Sequence, residues 1–381
     1  MPPRGLASER NNHWLPHPYP GVGFTDLRPL LKETDKMSNS HLEKPTTAGI
    51  HASAPLFEVR DLETVIHTRS GTVHAVNSVS FEINAGETLG VVGESGSGKS
   101  VTMMSLIRLL ASPPVELRGG QVLLGGEDLL KLDEGALRDL RGKKVGFVFQ
   151  DPMTSLNPVF TVGFQLMEPL RQHLGMSRRG AHDRAVELLA LVGIPDPARR
   201  VDEYPHQFSG GMRQRVMIAM ALACDPAVLI ADEPTTALDV TIQAQIIELM
   251  RELQSKLGMA VIWVTHDLNV VREIADRVLV MYAGQVIEHG PVDALFAQPA
   301  HPYTRALLAT MPRAGGAKQE RLRAIEGMPP ILTEAPQSCA FRARCGHARA
   351  RCAQELPRRQ PLSNGHDVAC HYPLREVAEH V

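Results

Sequence analysis

The sequence predicts an α/β protein: a mainly parallel sheet with helices on both faces. Three observations predict it. From residue 227 onward, short apolar runs alternate with amphipathic stretches, the pattern of strands joined by crossover helices. A glycine-rich loop, 93–100, follows one apolar run and precedes a helical one. Several apolar runs stop at a polar residue, at Gln150, Asp232 and His266. In an open parallel sheet the ligand lies at the carboxyl ends of the strands, where such residues fall.

Taken in order, residues 1–54 carry Pro, His, Asn, Ser and Thr without sustained periodicity and read as a disordered leader. Met37 is an alternative start within it. Residues 56–60 and 79–83 alternate apolar with polar, so they are expected as half-buried strands of an antiparallel edge, with Gly71 at the turn between two strands. The run 88–92 is a buried strand. Residues 101–110 are a helix stopped by Pro113 and Pro114. Strands follow at 121–126 and 144–150. Residues 151–219 read as a mostly helical insertion, broken by Asp-Pro and Asn-Pro pairs, with helices at 181–192 and 209–223. Alternation then resumes: strand 227–231, long amphipathic helix 240–257, strand 259–265, helix 267–275, strand 277–282, a turn at Ala283 and Gly284, and strand 285–288. A smaller Cys-rich extension, 296–381, ends the chain.

The loop 93–100 carries the chemistry. Gly93, Glu94, Ser95, Gly96, Ser97, Gly98, Lys99 and Ser100 fit the phosphate-binding pattern of two glycines five apart followed by Lys and Ser. Gly96 and Gly98 let successive backbone N–H groups converge on one anion. Ser100 and Val101 open a helix whose N-terminus adds its positive dipole end. Lys99 is expected to reach the β- and γ-phosphates of a nucleoside triphosphate, and Ser100 to place its hydroxyl on Mg²⁺. Asp232 ends an apolar strand and suits the second Mg²⁺ contact, and Glu233 beside it suits a general base for an attacking water. Ser209, Gly210 and Gly211 open a second helix with bared N–H groups, a second anion site. One nucleotide does not need two such helix ends, so the second is expected to serve a nucleotide on another subunit. Taken alone it would be only a capped helix.

Composition bounds the rest. The chain has 381 residues, a formal net charge of −2, 43% hydrophobic and 22% charged residues. There is no global basic field, which argues against a nucleic-acid partner. No apolar stretch approaches the ~20 residues that span a bilayer, and the first residues lack the apolar core of a secretory signal. Five cysteines are present. Cys224 sits alone in an apolar helix and reads as a core residue. Cys339, Cys345, Cys352 and Cys370 crowd into the tail with C-x5-C-x6-C-x17-C spacing, unlike the C-x2-C pairs of a zinc ribbon. Four thiolates can hold zinc or an iron–sulfur cluster. Arg342, Arg344, Arg349 and Arg351 would offset thiolate charge, or form a solvated face.

These motifs, in this order, resemble the ATP-binding subunit of an ABC transporter over roughly residues 56–295. The loop 93–100 is similar to the family's P-loop, Gln150 to its Q-loop, Ser209-Gly-Gly to its signature, Asp232 and Glu233 to its Walker B, Ala237-Leu-Asp239 to its D-loop and His266 to its switch histidine. The resemblance implies a P-loop NTPase core (nucleotide-binding domain 55–295, helical subdomain 151–219) that pairs with a second ATPase chain, related but different, sandwiching two ATP molecules. It implies that Gln150 touches Mg²⁺ or water and senses two transmembrane permease subunits, that Asp239 links the two sites, and that His266 contacts the γ-phosphate. Two positions depart from the family. Met212 stands where many members carry Gln. The family's adenine-stacking aromatic is replaced by Ile66, with His67 as the nearest ring.

The stretch from Phe296 through His301, Pro302 and Tyr303 resembles the C-terminal extension of oligopeptide, dipeptide and nickel importer ATPases. Within the dipeptide branch the four-cysteine tail resembles one that ligates a [4Fe–4S] cluster, with zinc as the alternative. The resemblance implies a peptide importer ATPase, peripheral at the cytoplasmic face of the inner membrane, served by an extracytoplasmic substrate-binding protein. A nickel or other small-solute importer, a non-transport ABC ATPase, and a regulatory Fe–S protein with a vestigial ATPase are the rival readings.

Overall fold

Two sheets and three buried clusters place every motif. The structure, a computed structural model, describes residues 54–236, 238–311, 325–362 and 366–374. Nearly all of the expected leader, with Met37, lies outside the described residues, as does Ala237.

The strands β1 (Phe57–Thr68) and β2 (Gly71–Ile83) form a long hairpin. Together with β4 (Val115–Leu124) and β5 (Glu127–Asp128) they make a four-stranded antiparallel sheet in the order β2-β1-β4-β5. This corrects the expectation of an antiparallel edge: the strands form a separate sheet. The pairing of β1 with β2 shifts register between Val59 and Leu62 and again around Thr64, and Asp61 takes a left-handed φ of 45°. These bulges break the period-2 alternation, so the strands run much longer than their alternating segments reveal.

The larger sheet has the order β11-β12-β10-β9-β3-β8-β7-β6. Its strands are β3 (Thr88–Val92), β6 (Val145–Val148), β7 (Val228–Asp232), β8 (Ala260–Val264), β9 (Arg277–Tyr282), β10 (Gln285–Pro291), β11 (Gln360–Pro361) and β12 (Asp367–Val368). The five strands from β6 to β9 pair in parallel, while β10, β12 and β11 add on antiparallel. Strands β3, β7 and β8 are buried along their whole length, which is why they read as continuous apolar runs rather than alternating ones.

Between the two sheets lies α1 (Lys99–Leu106). Met103 and Leu106 pack with Phe57, Val79, Leu89, Ile262 and Leu279. The helix ends earlier than the expected 110, well short of the prolines. A second cluster joins α4 (Val162–Leu174), α5 (Arg178–Leu191), α7 (Gly210–Ala221) and α8 (Val240–Leu257). Leu166, Leu170, Leu188 and Leu189 are fully buried there, each worth roughly 1.5–3 kcal/mol of transfer free energy. Short helices α2 (Glu134–Leu140), α3 (Pro152–Ser155) and α6 (Pro197–Arg200) connect these parts. Cys224, just past α7, is 7% exposed, donates to the carbonyl of Pro169 at 3.6 Å, and its thiol pKa is pushed up to about 11 by burial. It is an inert core residue.

The third cluster binds the C-terminal extension to the sheet. It involves α9 (Leu268–Ile274), α10 (Val292–Ala297) and α11 (Pro302–Leu308), with α12 (Ala350–Gln354) beyond it. Tyr282 of β9, Tyr303 of α11 and Phe341 cluster with centroids 4.7–5.3 Å apart, Phe341 meeting both tyrosines edge-on, favourable aromatic geometry. The Glu288 carboxylate, fully buried, accepts from the N–H groups of Ala300 and His301. His301 Nδ1 in turn accepts from the N–H of Tyr303 and caps α11.

Candidate functional site

Four parallel strands deliver their motifs to one end of the sheet. Strand β3 runs into the loop 93–98, β6 toward Gln150, β7 into Asp232 and Glu233, and β8 toward His266. The strand order is not the chain order, so Ser100 and Asp232, 132 positions apart, meet there.

The loop turns as its glycines allow. Gly96 has φ 79° and Gly98 φ 96°, left-handed values that a side chain resists. Gly98 has a second constraint, because a Cβ there would stand 2.6 Å from the carbonyl oxygen of Ala75 and 3.1 Å from Cα of Gly284. Gly98 also caps α1, so the helix starts directly beneath the loop. Lys99 is 5% exposed, and its ammonium donates to the carbonyls of Gly93 at 2.8 Å and Glu94 at 3.1 Å. That leaves one of its three N–H donors for an anion. Burial lowers its pKa, opposed by the charges of Glu233, Asp232 and Glu94. Ser95 is exposed, and the buried hydroxyl of Ser97 has no hydrogen-bond partner.

The Ser100 hydroxyl donates to Asp232 Oδ1 at 3.0 Å. A hydroxyl and a carboxylate side by side are the hard oxygen donors that Mg²⁺ takes, so the residues present fit that ion. Asp232 is 5% exposed. Burial raises its pKa, and the Ser100 hydrogen bond pulls it back.

Glu233 is the meeting point. Its Oε2 accepts from Gln150 Nε2 at 3.1 Å and from the Thr236 hydroxyl at 2.9 Å, and lies 3.3 Å from His266 Nδ1. Its φ is 47°, a strained value for a residue with a side chain. Its N–H donates to the carbonyl of Val264 on β8, which holds the carboxylate out from the strand end. A positioned carboxylate beside a histidine and an amide can take a proton from a water. Thr236 escaped the sequence reading. Its spacing of three from Glu233 was the available signal.

The signature segment is not part of this cluster. Ser209 caps α7, accepting from the N–H of Met212 at 3.3 Å, and it and Gly210 are exposed. A Cβ on Gly211 would meet Ile242 Cγ2 of α8 at 2.6 Å. Asp239 is the N-cap of α8 and accepts from the backbone N–H of Ile242, so the signature lies against the side chain, and the residue 239 turn against the backbone, of the same residue. Ile66 pairs with Val73 in the hairpin. His67 is engaged, with Nε2 2.7 Å from Glu116 Oε2 and Nδ1 3.3 Å from the Thr72 hydroxyl.

Cys339, Cys345, Cys352 and Cys370 are free thiols that line one small cavity, together with His301, His347 and His371. Burial raises the pKa of Cys339 and Cys345, and pushes that of Cys370 up to about 11. Among the described residues no group of three or more His, Cys, Asp or Glu is arranged to hold a metal ion. The four thiols are of the donor type that zinc and iron–sulfur clusters take, but they are not gathered into a ligand set.

The tail arginines neither pair with the thiols nor form one solvated face. Arg344 reaches the loop at 93–98: Nη1 and Nη2 bind the two carboxylate oxygens of Glu94 at 2.6 and 2.9 Å. Arg349 lies over the Tyr372 ring at 4.3 Å, and Arg351 pairs with Glu355. Arg342 donates to the carbonyl of Cys339.

Known proteins resemble this chain in sequence and in fold. The family described as ABC transporter matches residues 76–236, and the one described as oligopeptide/dipeptide transporter, C-terminal region, matches residues 287–352. The oligopeptide transport ATP-binding protein OppD of Bacillus subtilis is 52% identical over 313 residues, 82% of this chain and 87% of that protein. The dipeptide transport ATP-binding protein DppD of Escherichia coli is 49% identical over 322 residues, 84% of this chain and 98% of that protein. Among solved structures, the dimeric post-hydrolysis state of an ATP-binding cassette bound to ADP and Pi superposes with a TM-score of 0.56 at 31% identity, over 62% of this chain and 98% of that one.

Proposed function

The chain belongs to the ABC transporter family of ATP-hydrolysing cassettes, and from that premise we propose that it is the ATPase subunit of an importer for di- and oligopeptides. One observation carries the reading. Relatives named for oligopeptide and dipeptide transport match nearly their whole length, extension included.

In this reading Lys99 and the N–H groups of 93–101 bind the β- and γ-phosphates of ATP. Mg²⁺ supplies charge neutralisation across those phosphates, and Ser100, Asp232 and Gln150 would hold it. Glu233 takes the proton from the attacking water, with Gln150, Thr236 and His266 fixing its carboxylate. Ser209, Gly210 and Gly211 cap the nucleotide of a partner ATPase, and Asp239, one contact away through Ile242, relays its state. Ile66 and His67 face the adenine, with His67 released from Glu116.

Two permease subunits dock beside Gln150. Phe149, Met153, Val159, Phe160 and Phe164 are 40–70% exposed there, an apolar surface of the kind that marks a protein partner. No described helix is long and apolar enough to cross a membrane; attachment to the cytoplasmic face runs through those subunits. An extracytoplasmic binding protein delivers the peptide. The four tail cysteines hold a [4Fe–4S] cluster, with zinc as the alternative, in a structural or regulatory role. An anaerobic preparation with broad absorbance near roughly 400 nm supports the cluster, and a colourless zinc-loaded one refutes it.

The test is reconstitution with the permeases and binding protein from neighbouring genes. ATP hydrolysis should rise with added di- or oligopeptides. A rise with a nickel chelate and none with peptides would replace the substrate assignment.

A further inference from the structure

The C-terminal extension touches the phosphate-binding loop itself, at its second residue. The Glu94 N–H donates to Tyr303 Oη at 2.8 Å, and the Glu94 carboxylate is gripped at both oxygens by Arg344. The guanidinium is saturated. Nε donates to the carbonyl of Glu326 at 2.8 Å, Nη1 also to the Tyr282 hydroxyl at 3.2 Å, and Nη2 also to the carbonyls of Ile325 and Gly327, both at 3.2 Å. The Arg344 side chain is 7% exposed. A planar fork with all its donors engaged has one position to occupy.

Arg344 ends the single helical turn Arg342–Arg344, and Cys345 follows it directly. Cys339 sits at the start of the same segment, its carbonyl accepting from the Arg342 N–H at 3.2 Å and its N–H donating to the carbonyl of Cys352 at 3.1 Å. The segment that places the cysteines therefore also places Arg344. The 325–332 stretch it grips is anchored at its far end, where the His74 N–H donates to the carbonyl of Leu332 at 2.8 Å.

The carboxylate of Glu94 has a consequence for any anion bound in this loop. The Glu94 backbone carbonyl accepts from the Lys99 ammonium at 3.1 Å, and the Glu94 carboxylate acts electrostatically on that ammonium, so this carboxylate belongs to the surroundings of the phosphates. An unpaired negative charge there opposes a polyphosphate, and one held in a bidentate pair does not.

We propose that the C-terminal extension sets the nucleotide affinity of this chain: Arg344 and Tyr303 act as positioning residues for the phosphate loop, and changes at the cysteine-lined cavity reach the nucleotide through Arg344. The proposal rests on the reading of 93–100 as the ATP site.

The experiment measures ATP affinity of the full chain with a fluorescent ATP analogue, alongside thermal unfolding. Arg344→Ala should weaken binding about tenfold, within the range of intramolecular couplings. Adding Glu94→Gln to Arg344→Ala should restore most of that loss, because the charge that opposes the phosphates is gone; a variant damaged only in its packing would not recover. Tyr303→Phe keeps the ring in its aromatic cluster and removes only the acceptor, and should weaken binding several-fold. If Arg344→Ala does not fold, Arg344→Lys keeps the charge, forfeits the fork, and should show an intermediate loss. Cys345→Ser should weaken binding with Arg344 in place and add nothing to Arg344→Ala. Wild-type affinity in Arg344→Ala or Arg344→Lys, no rescue by Glu94→Gln, or a Cys345→Ser effect that is absent or simply additive would each overturn the proposal. A wild-type chain that fails to bind ATP would instead sink the reading of the site.

Discussion

Replacing Glu233 by Gln isolates one proton. The side chain keeps its volume and its place at the end of β7. Its Oε2 accepts from Gln150 and Thr236 and faces His266, so the amide oxygen of Gln will take that position and the NH₂ will point where Oε1 stood. Three contacts are preserved, and the change in folding free energy should stay within about 1 kcal/mol. The amide cannot accept the proton of an attacking water, and positioned general-base catalysis contributes about 10²–10⁴-fold, or ~3–5 kcal/mol of activation free energy. Lys99, Ser100 and Asp232 are untouched, so ATP should bind as before and stay bound. The assay is phosphate release by the reconstituted complex, with retained nucleotide quantified after rapid gel filtration. Turnover within about tenfold of wild type, too small a loss for a general base, would refute the role given to Glu233.

Ser100→Ala removes the hydroxyl that donates to Asp232; ATP affinity should fall about tenfold with Mg²⁺ present and hardly change in a chelator, because only the metal-bound form uses that oxygen. Gly98→Ala forces a Cβ to 2.6 Å from the Ala75 carbonyl at a φ of 96°, which should cost about 1–3 kcal/mol in thermal unfolding and abolish nucleotide binding. His301 is fully buried and burial pushes its pKa from 6.5 down to about 4, against the pull of Glu288. It must stay neutral, since its Nδ1 accepts from Tyr303. The unfolded chain binds that proton more tightly, so stability rises with pH between those two values and falls on acidification, by ~2 kcal/mol from pH 7 to pH 5. His301→Asn keeps a capping acceptor and cannot titrate; its unfolding midpoint should depend less steeply on pH over that window, and an unchanged slope would contradict the assignment.

Local geometry was the legible part. The helix α8 and the strand β9 were read to the residue, because an amphipathic stripe stopped by Gly258 and an unbroken apolar run leave the backbone few alternatives. The length of β1 was not legible, because bulges reset its alternation. The early end of α1 was not legible either, because burial between two sheets decides where that helix stops being useful. Arg344 illustrates the same limit at the site. As one of several tail arginines it carried no sequence mark, and its partner lies 250 residues away.

The sequence alone determined that a glycine-rich loop of the phosphate-binding pattern, a carboxylate pair at a strand end and a Ser-Gly-Gly helix start are present, since each is a contiguous stretch whose spacing dictates its own backbone path. Only the tertiary structure decided that Gln150, Glu233, Thr236 and His266 share one carboxylate oxygen, that Gly211 and Asp239 meet at Ile242, and that the extension holds Glu94. Those meetings are set by strand order and by which buried faces fit together. Neither is encoded in spacing along the chain, because the energy that selects them comes from surfaces that touch only once the chain has folded.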